Sequence, residues 1–388
     1  MSVERYYLVT GTEPKGKWRV RRVRATSAQG AIDTLASRGF TKIELETDDI
    51  TLCTPGGEPR PNWMITPLDL YKMHRMSLTQ CVLYSGVILF RAALIVLVPL
   101  GVYVAYQLSH GRAFGIAGGI MATILLLLTI SIVSVARSAR SGMDLERRYV
   151  RGEFLLVVEA AEKMMRTARG QGQRLAYFKV ASTYPRALVH LGRLDEAKEY
   201  LDRLSERNDA DPYYVNFVSA TTFEVAGLTD EFEVLAQDMV DHRPDCALGW
   251  HLLAVALGQH RDQLEEARQH LLHAQILPVT DRNRRMLRGD FGVQLVLEGR
   301  LLEAIEELVV ASQALREVSH QSPIAEVNLA SMEGWRAVAL FMLGRVEEAK
   351  VVLDRHWPTI DTHKYEPVWS HCVQTGLVKS GKDEVGPA

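Results

Sequence analysis

Two long apolar runs restrict the folds open to this chain more than any other feature of its sequence. Residues 114–136 contain no charged side chain over 23 positions, and residues 82–107 contain a single charge, Arg91, over 26 positions. A helix of about 20 apolar residues crosses the hydrocarbon core of a bilayer. The pattern therefore predicts two transmembrane helices, at about 82–107 and 114–136. The long side chain of Arg91 either reaches the membrane interface or serves a function within the membrane.

The short connection between the two runs predicts an antiparallel transmembrane hairpin. Basic residues precede the first run and follow the second, whereas the connection holds only Arg112. Because cytoplasmic loops are enriched in Lys and Arg, we expect both flanking parts of the chain to face the cytoplasm. Gly111, Gly115 and Gly119 form a ridge of small residues at four-residue spacing. Such a ridge allows close helix packing, either within the hairpin or in a homo-oligomer.

Residues 1–53 predict a small α+β domain. Strand-like segments begin at Tyr6, Trp18 and Ile43, and a helical pattern lies between the second and the third. Ser27 is suited to cap the N-terminus of that helix, and Gly39 is suited to the turn that ends it. Residues 54–81 begin with a stretch rich in Pro and Gly and are expected to be a linker.

A basic run with an adjacent tryptophan marks the second strand of this domain. Its members are Lys17, Trp18, Arg19, Arg21, Arg22 and Arg24. We interpret the run as a solvated face of the sheet, with anionic lipid headgroups or RNA as functional alternatives, and lipid fits better because membrane segments follow. Residues 152–388 carry a net charge of −10. An acidic surface repels phosphates, so no nucleic-acid partner is expected there.

The C-terminal part of the sequence contains an internal repeat. Three segments that begin at Leu191, Glu298 and Leu343 align without gaps, and a fourth that begins at Leu264 aligns over its second half. The block resembles the tetratricopeptide repeat (TPR) family, in which a Gly turns between two antiparallel helices and an Ala lies where they meet. The matching residues are Gly192, Gly299 and Gly344 in the turn, Ala197, Ala267, Ala304 and Ala349 in the second helix, and Gly292 and Ala337 in the first helix.

The resemblance implies a mostly α fold, with a TPR-like helical solenoid over residues 137–388 in addition to the transmembrane hairpin and the small N-terminal α+β domain. Each helix pair leaves an apolar face that only a neighbouring pair can cover, so the pairs are expected to stack. In TPR proteins the first helix of each pair lines a concave groove that binds a partner. On this alignment the residues expected to contact a partner protein are Lys179, Arg186, Leu252, Arg288 and Val293.

The sequence holds none of the common catalytic or phosphate-binding motifs. His270 and His273 lie three residues apart on one helix, but two ligands do not complete a metal site. The pair His371 and Cys372 has no neighbouring base-orienting residue. We therefore expect neither enzymatic activity nor a cofactor. The four cysteines are far apart in sequence, which is typical of a reducing compartment.

Residues 25–39 show a weaker likeness to a second family. The segment from Ala25 to Ala28, followed by Ala31, Leu35 and Gly39, resembles the small cytoplasmic domain that opens the inner-membrane platform protein of type II secretion. We carry over no function from this likeness. It is consistent with an integral protein of a bacterial inner membrane.

The sequence predicts a membrane-anchored adaptor that binds partner proteins through a cytoplasmic helical-repeat groove. Its other expected partner is membrane lipid, contacted by the two transmembrane helices. One alternative is an accessory or regulatory subunit of a membrane enzyme. Another is a component of a secretion or envelope-assembly complex.

Overall fold

The computed structural model describes residues 5–48, 103, 106, 144–167, 180–181, 183–206, 212–279, 281–319, 323–364 and 366–378. The predicted linker, the predicted spans apart from Tyr103 and Tyr106, Arg91 and the glycine ridge lie outside these residues. Among the residues that are described, no helix combines the length and the apolar character needed to cross a bilayer. The described chain is mostly helical, with one small sheet near the N-terminus.

The N-terminal domain is a three-stranded antiparallel sheet covered on one face by a helix. The sheet has the order β2-β1-β3, with β1 at Arg5–Thr12, β2 at Trp18–Ala25 and β3 at Thr41–Asp48. Helix α1, Ala28–Ala36, follows Ser27, whose side chain accepts a hydrogen bond from the Gly30 N–H at 3.0 Å. This confirms the predicted cap, which satisfies one of the free N–H groups at a helix start.

The core of this domain lies between the sheet and α1. Tyr7 is paired with Val23 across β1 and β2, and both side chains are buried. Ala31 and Leu35 of α1 close the core from the other side. Gly39 adopts a φ of +79°, as expected for a residue that ends a helix in a left-handed turn. Residues 5–48 thus contain the three strands and the helix that the sequence predicted.

The rest of the described chain is an array of helical hairpins. Residues 144–150 form helix α2. The helices that follow are α3 at Phe154–Thr167, α4 at Tyr184–His190, α5 at Leu194–Ser205, α6 at Pro212–Val225, α7 at Thr229–His242, α8 at Ala247–Val255, α9 at Leu264–Ile276, α10 at Asp281–Leu297, α11 at Leu301–Ser319, α12 at Ala325–Met342, α13 at Val346–His363 and α14 at Glu366–Gln374. The described residues between 184 and 363 thus form five consecutive hairpins, each with a first and a second helix.

The turn inside a hairpin follows one recurring geometry, illustrated by α10 and α11. Gly299 has a φ of +78°, its N–H donates to the Val296 carbonyl, and the Arg300 N–H donates to the Leu295 carbonyl. These two bonds satisfy carbonyls at the end of α10 that would otherwise lack partners. The side chain of Arg300 then holds Glu303 through two hydrogen bonds of 3.0 and 2.5 Å. The same geometry recurs after Gly192 and Gly344.

Small residues lie at the points where the helices cross. Ala197, Ala267, Ala304 and Ala349 are all fully buried. A Cβ atom at Gly292 of α10 would lie 2.8 Å from Leu308 Cγ and 3.1 Å from its backbone N in α11. Close approach of helices requires such residues, because a larger side chain would hold the backbones apart. The alignment predicted these positions, and the structure confirms their role in packing.

Each hairpin packs on the next one along the chain. Helix α11 contacts both α10 and α12, and the first helices α10 and α12 also contact each other. The same first-helix contacts join α4 to α6 and α8 to α10. Three hydrophobic clusters follow one another along the array and each draws on neighbouring hairpins. The predicted stacking of helix pairs is therefore seen over the described residues.

The third hairpin departs from the pattern. Helix α8 continues as a π-helical turn at Ala256–His260, and Asp262, with a φ of +58°, takes the place of the turn glycine. The Gln263 N–H reaches back to the Leu257 carbonyl, which extends the usual turn by one residue. Asp262 and Gln263 stand where the other repeats have Gly and Arg, so the fourth repeated segment aligns only from Leu264 onward.

Candidate partner-binding surface

A row of polar side chains follows the first helices of successive hairpins. Its members come from α2, α4, α6, α8 and α10: Tyr149, Arg186, Tyr214, Glu224, His251 and Asp290. We call this set the inner polar row. Arg186 hydrogen-bonds to Tyr149 and acts electrostatically on Tyr214, and Glu224 acts on both Tyr149 and His251. His251 Nδ1 lies 3.1 Å from Asp290 Oδ2. The row is therefore one connected electrostatic network across several hairpins.

Burial changes the acid–base behaviour of the row. It raises the pKa of the Tyr149 phenol to about 12, although the nearby Arg186 guanidinium opposes this effect. Burial also raises the pKa of Tyr214. For His251, burial disfavours the charged ring, but the Asp290 carboxylate and Glu224 outweigh it and raise the pKa of the imidazole. The contact with Asp290 therefore favours the charged form of His251.

Side chains fill most of the space beside His251 and Asp290 of this row. The side chains of His251 and Asp290 are 21% and 11% exposed. A cavity beside Asp290 and Gln294 has a volume of about 10 Å³, which is room for one water molecule. Gln294 closes the cavity on one side, where its Nε2 donates to the Leu264 carbonyl at 2.7 Å. No open groove of peptide width is therefore present at this point of the inner polar row.

The two ends of the hairpin array meet at an aromatic cluster. Tyr149, Phe154 and His190 come from its start, and His363 comes from the end of α13. We call these four residues the terminal joint. The rings of Phe154 and His190 stack at 4.2 Å, and the Tyr149 and His363 ring centroids are 4.9 Å apart. The Tyr149 hydroxyl lies 3.3 Å from His190 Nε2. Contact of α2, α3 and α4 with the end of α13 therefore joins the two ends of the array.

Burial keeps the two histidines of the terminal joint neutral. It lowers the pKa of His190 to about 4, and the neighbouring His363 and Arg186 lower it further. Burial likewise lowers the pKa of His363, while its hydrogen bond to the Val150 carbonyl acts in the opposite direction. Because both histidine rings are neutral, His190 and His363 do not repel each other or the nearby Arg186 guanidinium.

A second contact near the joint involves Glu146 of α2. Burial raises the pKa of this carboxyl group to about 7, and a hydrogen bond from the Ile324 backbone partly offsets that effect. Ile324 also packs against the first hydrophobic cluster, which contains Tyr149. Helix α2 is thus held by residues from the start of α12 as well as from the end of α13.

The structure places the residues predicted to bind a partner in different surroundings. Arg186 belongs to the inner polar row. Leu252 and Val293 lie inside hydrophobic clusters and are 5% and 0% exposed, so their surroundings favour a packing role over partner contact. Arg288 forms an ion pair with Glu307 of the adjoining second helix and keeps 40% of its side chain exposed. Lys179 lies outside the described residues.

Sequence reasoning missed Tyr149, Tyr214, Glu224, His251 and Asp290. One signal was available for His251, the lone ionisable residue in the apolar segment of α8. No comparable local pattern marks the other four, because their proximity depends on how the hairpins stack.

The other polar residues singled out in the sequence have structural surroundings. His270 and His273 both pack against Trp250, with ring centroids 5.2 and 4.4 Å away. Cys372 is buried, and burial raises the pKa of its thiol to about 12, so the reactive thiolate form is disfavoured. Within the described ranges, no three or more His, Cys, Asp or Glu residues cluster in a way that suits a metal ion.

The sequence matches no protein-family model, and no curated protein is significantly similar to it.

Proposed function

We propose that this chain is a membrane-anchored adaptor whose hairpin array is of the TPR type. Residues 82–136 would hold it in the membrane, and the inner polar row would bind an extended segment of a partner protein. The observation that carries the proposal is the row itself. It joins polar side chains from consecutive first helices, which is the surface that such arrays offer to their partners.

The polarity of the row supports a role beyond packing. Burying a polar group costs free energy unless another group satisfies it, and apolar side chains would fill the same positions at lower cost. The row nonetheless contains an arginine, two carboxylates and a histidine that are half-buried or more. Groups of this kind match the backbone and charged ends of an extended peptide.

Access to the row requires the array to open. The ends meet at the terminal joint, and the cavity beside Asp290 is too small for a peptide. An adaptor of this form therefore has a closed state without its partner and an open one with it. Partner binding would then have to supply the free energy lost when the joint separates.

The experiment compares two charge reversals in the full-length chain in native membranes. Arg186→Glu changes the inner polar row, whereas Arg203→Glu changes an exposed arginine on α5 of the same hairpin. Chemical crosslinking followed by mass spectrometry measures which proteins are captured, at equal amounts of folded chain. We expect Arg186→Glu to lower capture at least tenfold and Arg203→Glu to leave it unchanged. Equal capture by both variants would exclude Arg186 from the binding surface.

A second variant separates loss of binding from loss of structure. Asp290→Asn keeps the size of the side chain but removes the charge that pairs with His251. It should weaken capture while leaving the far-UV circular dichroism spectrum unchanged. If an enzyme is captured equally by all variants, the chain is better explained as an accessory subunit held by another surface.

A further inference from the structure

The turn between β1 and β2 projects a set of basic side chains. The Glu13 N–H donates to the Lys17 carbonyl at 2.9 Å, and the Gly16 N–H donates to the Glu13 carbonyl at 2.8 Å. Gly16 adopts a φ of +79°, which closes the turn tightly. Lys15 and Lys17 are exposed on this turn, and Trp18 begins β2 directly after it.

A large aromatic ring stands exposed among these cations. Trp18 is 61% exposed, although tryptophan is among the side chains that gain most from burial. Arg19, the next residue of β2, lies on the opposite face of the sheet from Trp18 and has half of its side chain exposed. Glu13 pairs with both Arg21 and Arg19, so its single negative charge offsets only one of these two positive charges, and Lys15, Lys17 and Arg38 add to the remainder. We call Lys15, Lys17, Trp18, Arg19 and Arg38 the tip face.

A cleft opens at the same end of the domain. Its volume is about 450 Å³, within the size range of small-ligand sites. Its basic lining residues are Lys15, Arg21 and Arg38, its apolar ones are Pro14, Leu35 and Phe40, and Glu13 is its one acidic lining residue. Glu13 pairs with Arg21, which leaves Lys15 and Arg38 to meet an anionic group beside apolar side chains that suit a hydrocarbon chain.

We propose that the tip face docks on the surface of an anionic lipid bilayer, with a lipid phosphate in the cleft. An indole ring prefers the boundary between hydrocarbon and water, and neighbouring lysines are attracted to anionic headgroups. Each lysine or arginine close to an anionic membrane surface strengthens binding to that membrane about fivefold. A single-stranded nucleic acid would instead need a row of aromatic rings along a basic groove. The described domain exposes one ring at this end.

The position of the tip face in the domain leaves it accessible. The Ala28 N–H, at the start of α1, lies 3.3 Å from Asp245 Oδ2 of the hairpin array. That contact is at the far end of β2 from the turn. The eight residues of β2, at about 3.3 Å each, separate the two ends by roughly 25 Å. Attachment to the array and attachment to a membrane therefore use opposite ends of the domain.

The experiment measures whether lipid quenches Trp18. The full-length chain is reconstituted in nanodiscs whose phospholipids carry brominated acyl chains, with or without phosphatidylglycerol added to phosphatidylcholine. The contribution of Trp18 is the difference between the wild-type fluorescence and that of Trp18→Phe. We expect this contribution to be quenched in anionic discs and to recover in neutral discs or at high salt.

A matched pair of variants tests the charge. Lys15→Glu/Lys17→Glu should abolish the quenching, whereas Lys163→Glu/Arg355→Glu makes the same charge change on exposed residues of the hairpin array and should leave it intact. The proposal is overturned if Trp18 stays unquenched in anionic discs. It is also overturned if the Lys15 and Lys17 substitutions leave the quenching of Trp18 unchanged. A third contrary result is that these substitutions abolish binding to a single-stranded RNA oligonucleotide while Trp18 stays unquenched.

This inference does not depend on the inner polar row. If the chain fails to integrate into discs, as shown by its extraction with alkaline carbonate, the anchoring part of the proposed function fails. The same quenching is then measured by adding the chain to preformed anionic vesicles. The tip face is thus tested in either case.

Discussion

His363 Nε2 lies 3.2 Å from the carbonyl oxygen of Val150, across 213 residues of sequence. A carbonyl oxygen can only accept a hydrogen bond, so the proton of the neutral His363 ring must be on Nε2. His363 Nδ1 is then an unprotonated nitrogen, buried and without a hydrogen-bond partner among the described residues. One hydrogen bond thus sets the tautomer at the place where the first and last hairpins of the array meet.

The terminal joint should weaken as the pH falls. His190 has a pKa of about 4 in the folded chain, against an ordinary value of 6.5. Because the pKa of His190 is lower in the folded chain than in the unfolded chain, the unfolded state takes up a proton at a higher pH than the folded state does. The stabilising contribution is present above about pH 6.5 and is lost as the pH falls towards 4. The loss from His190 amounts to about 3 kcal/mol.

Hydrogen–deuterium exchange of α2 and α13 measures this opening. Between pH 7 and 4.5, after correction for the intrinsic rate, protection should change less favourably with falling pH in the wild type than in His190→Phe, which keeps the stacked ring but takes up no proton, whereas His363 and Glu146 contribute equally to both proteins. His242→Phe makes the same change at an exposed position and should keep the wild-type pH dependence. Equal slopes in all three proteins would show that His190 does not control the joint.

Glu146 should act in the opposite direction. Its pKa is raised from 4.5 to about 7, so the folded state holds a proton that the unfolded state has already released. The stabilising contribution is present below about pH 4.5 and is lost as the pH rises through 7. Glu146→Gln stays neutral and can still accept the hydrogen bond from Ile324. We expect it to stabilise the chain by about 2–3 kcal/mol at pH 8 and to change little at pH 4.5.

Urea unfolding followed by circular dichroism gives this comparison directly. Glu153→Gln, just before α3, makes the same substitution at a nearby glutamate and serves as the control. A Glu146→Gln chain that is no more stable than the wild type at pH 8 would mean that Glu146 is ionised at little cost.

Gly292 and Gly299 of the fourth hairpin should respond differently to alanine. Gly299→Ala has open space around the new Cβ but must keep a φ of +78°, so it should cost about 1 kcal/mol. Gly292→Ala meets Leu308 Cγ at 2.8 Å and the Ala304 carbonyl at 3.2 Å. Helices α10 and α11 must then separate, at a cost of about 2–3 kcal/mol. The urea midpoint should therefore fall further for Gly292→Ala, and the reverse order would contradict the packing argument.

The local features of the fold could be predicted from sequence, because they depend on spacing along the chain. Ser27 and Gly39 at the ends of α1, the turn glycines such as Gly299, and the buried alanines such as Ala304 all lie where the pattern places them. The terminal joint could not be predicted. Contact between His363 and Tyr149 depends on the rotation between successive hairpins, which accumulates over the whole array and leaves no mark in any single repeat.

The same limit applies to the candidate binding surface. Arg186 was found because the repeat alignment assigns residues to the first helix of each pair. Leu252 and Val293 were assigned to the same helices, but alignment alone does not say which side of a helix faces a neighbour. Their burial in two hydrophobic clusters shows that both side chains face neighbouring helices.

Glu333 of α12 provides a test of how the array tolerates buried charge. It is fully buried, yet it forms ion pairs with Arg316 of α11 and, at 2.6 Å, with Arg336 of its own helix. The arginine side chains are 47% and 23% exposed. When Glu333→Gln removes the carboxylate, both guanidinium groups can turn to water, and we expect a cost of about 1–2 kcal/mol.

The double variant Arg316→Ala/Arg336→Ala instead leaves a carboxylate buried without a counter-charge. It should cost about 3–5 kcal/mol. Urea unfolding at pH 7.5 measures both costs, and a double variant no less stable than Glu333→Gln would show that the carboxylate reaches water or a proton by another route.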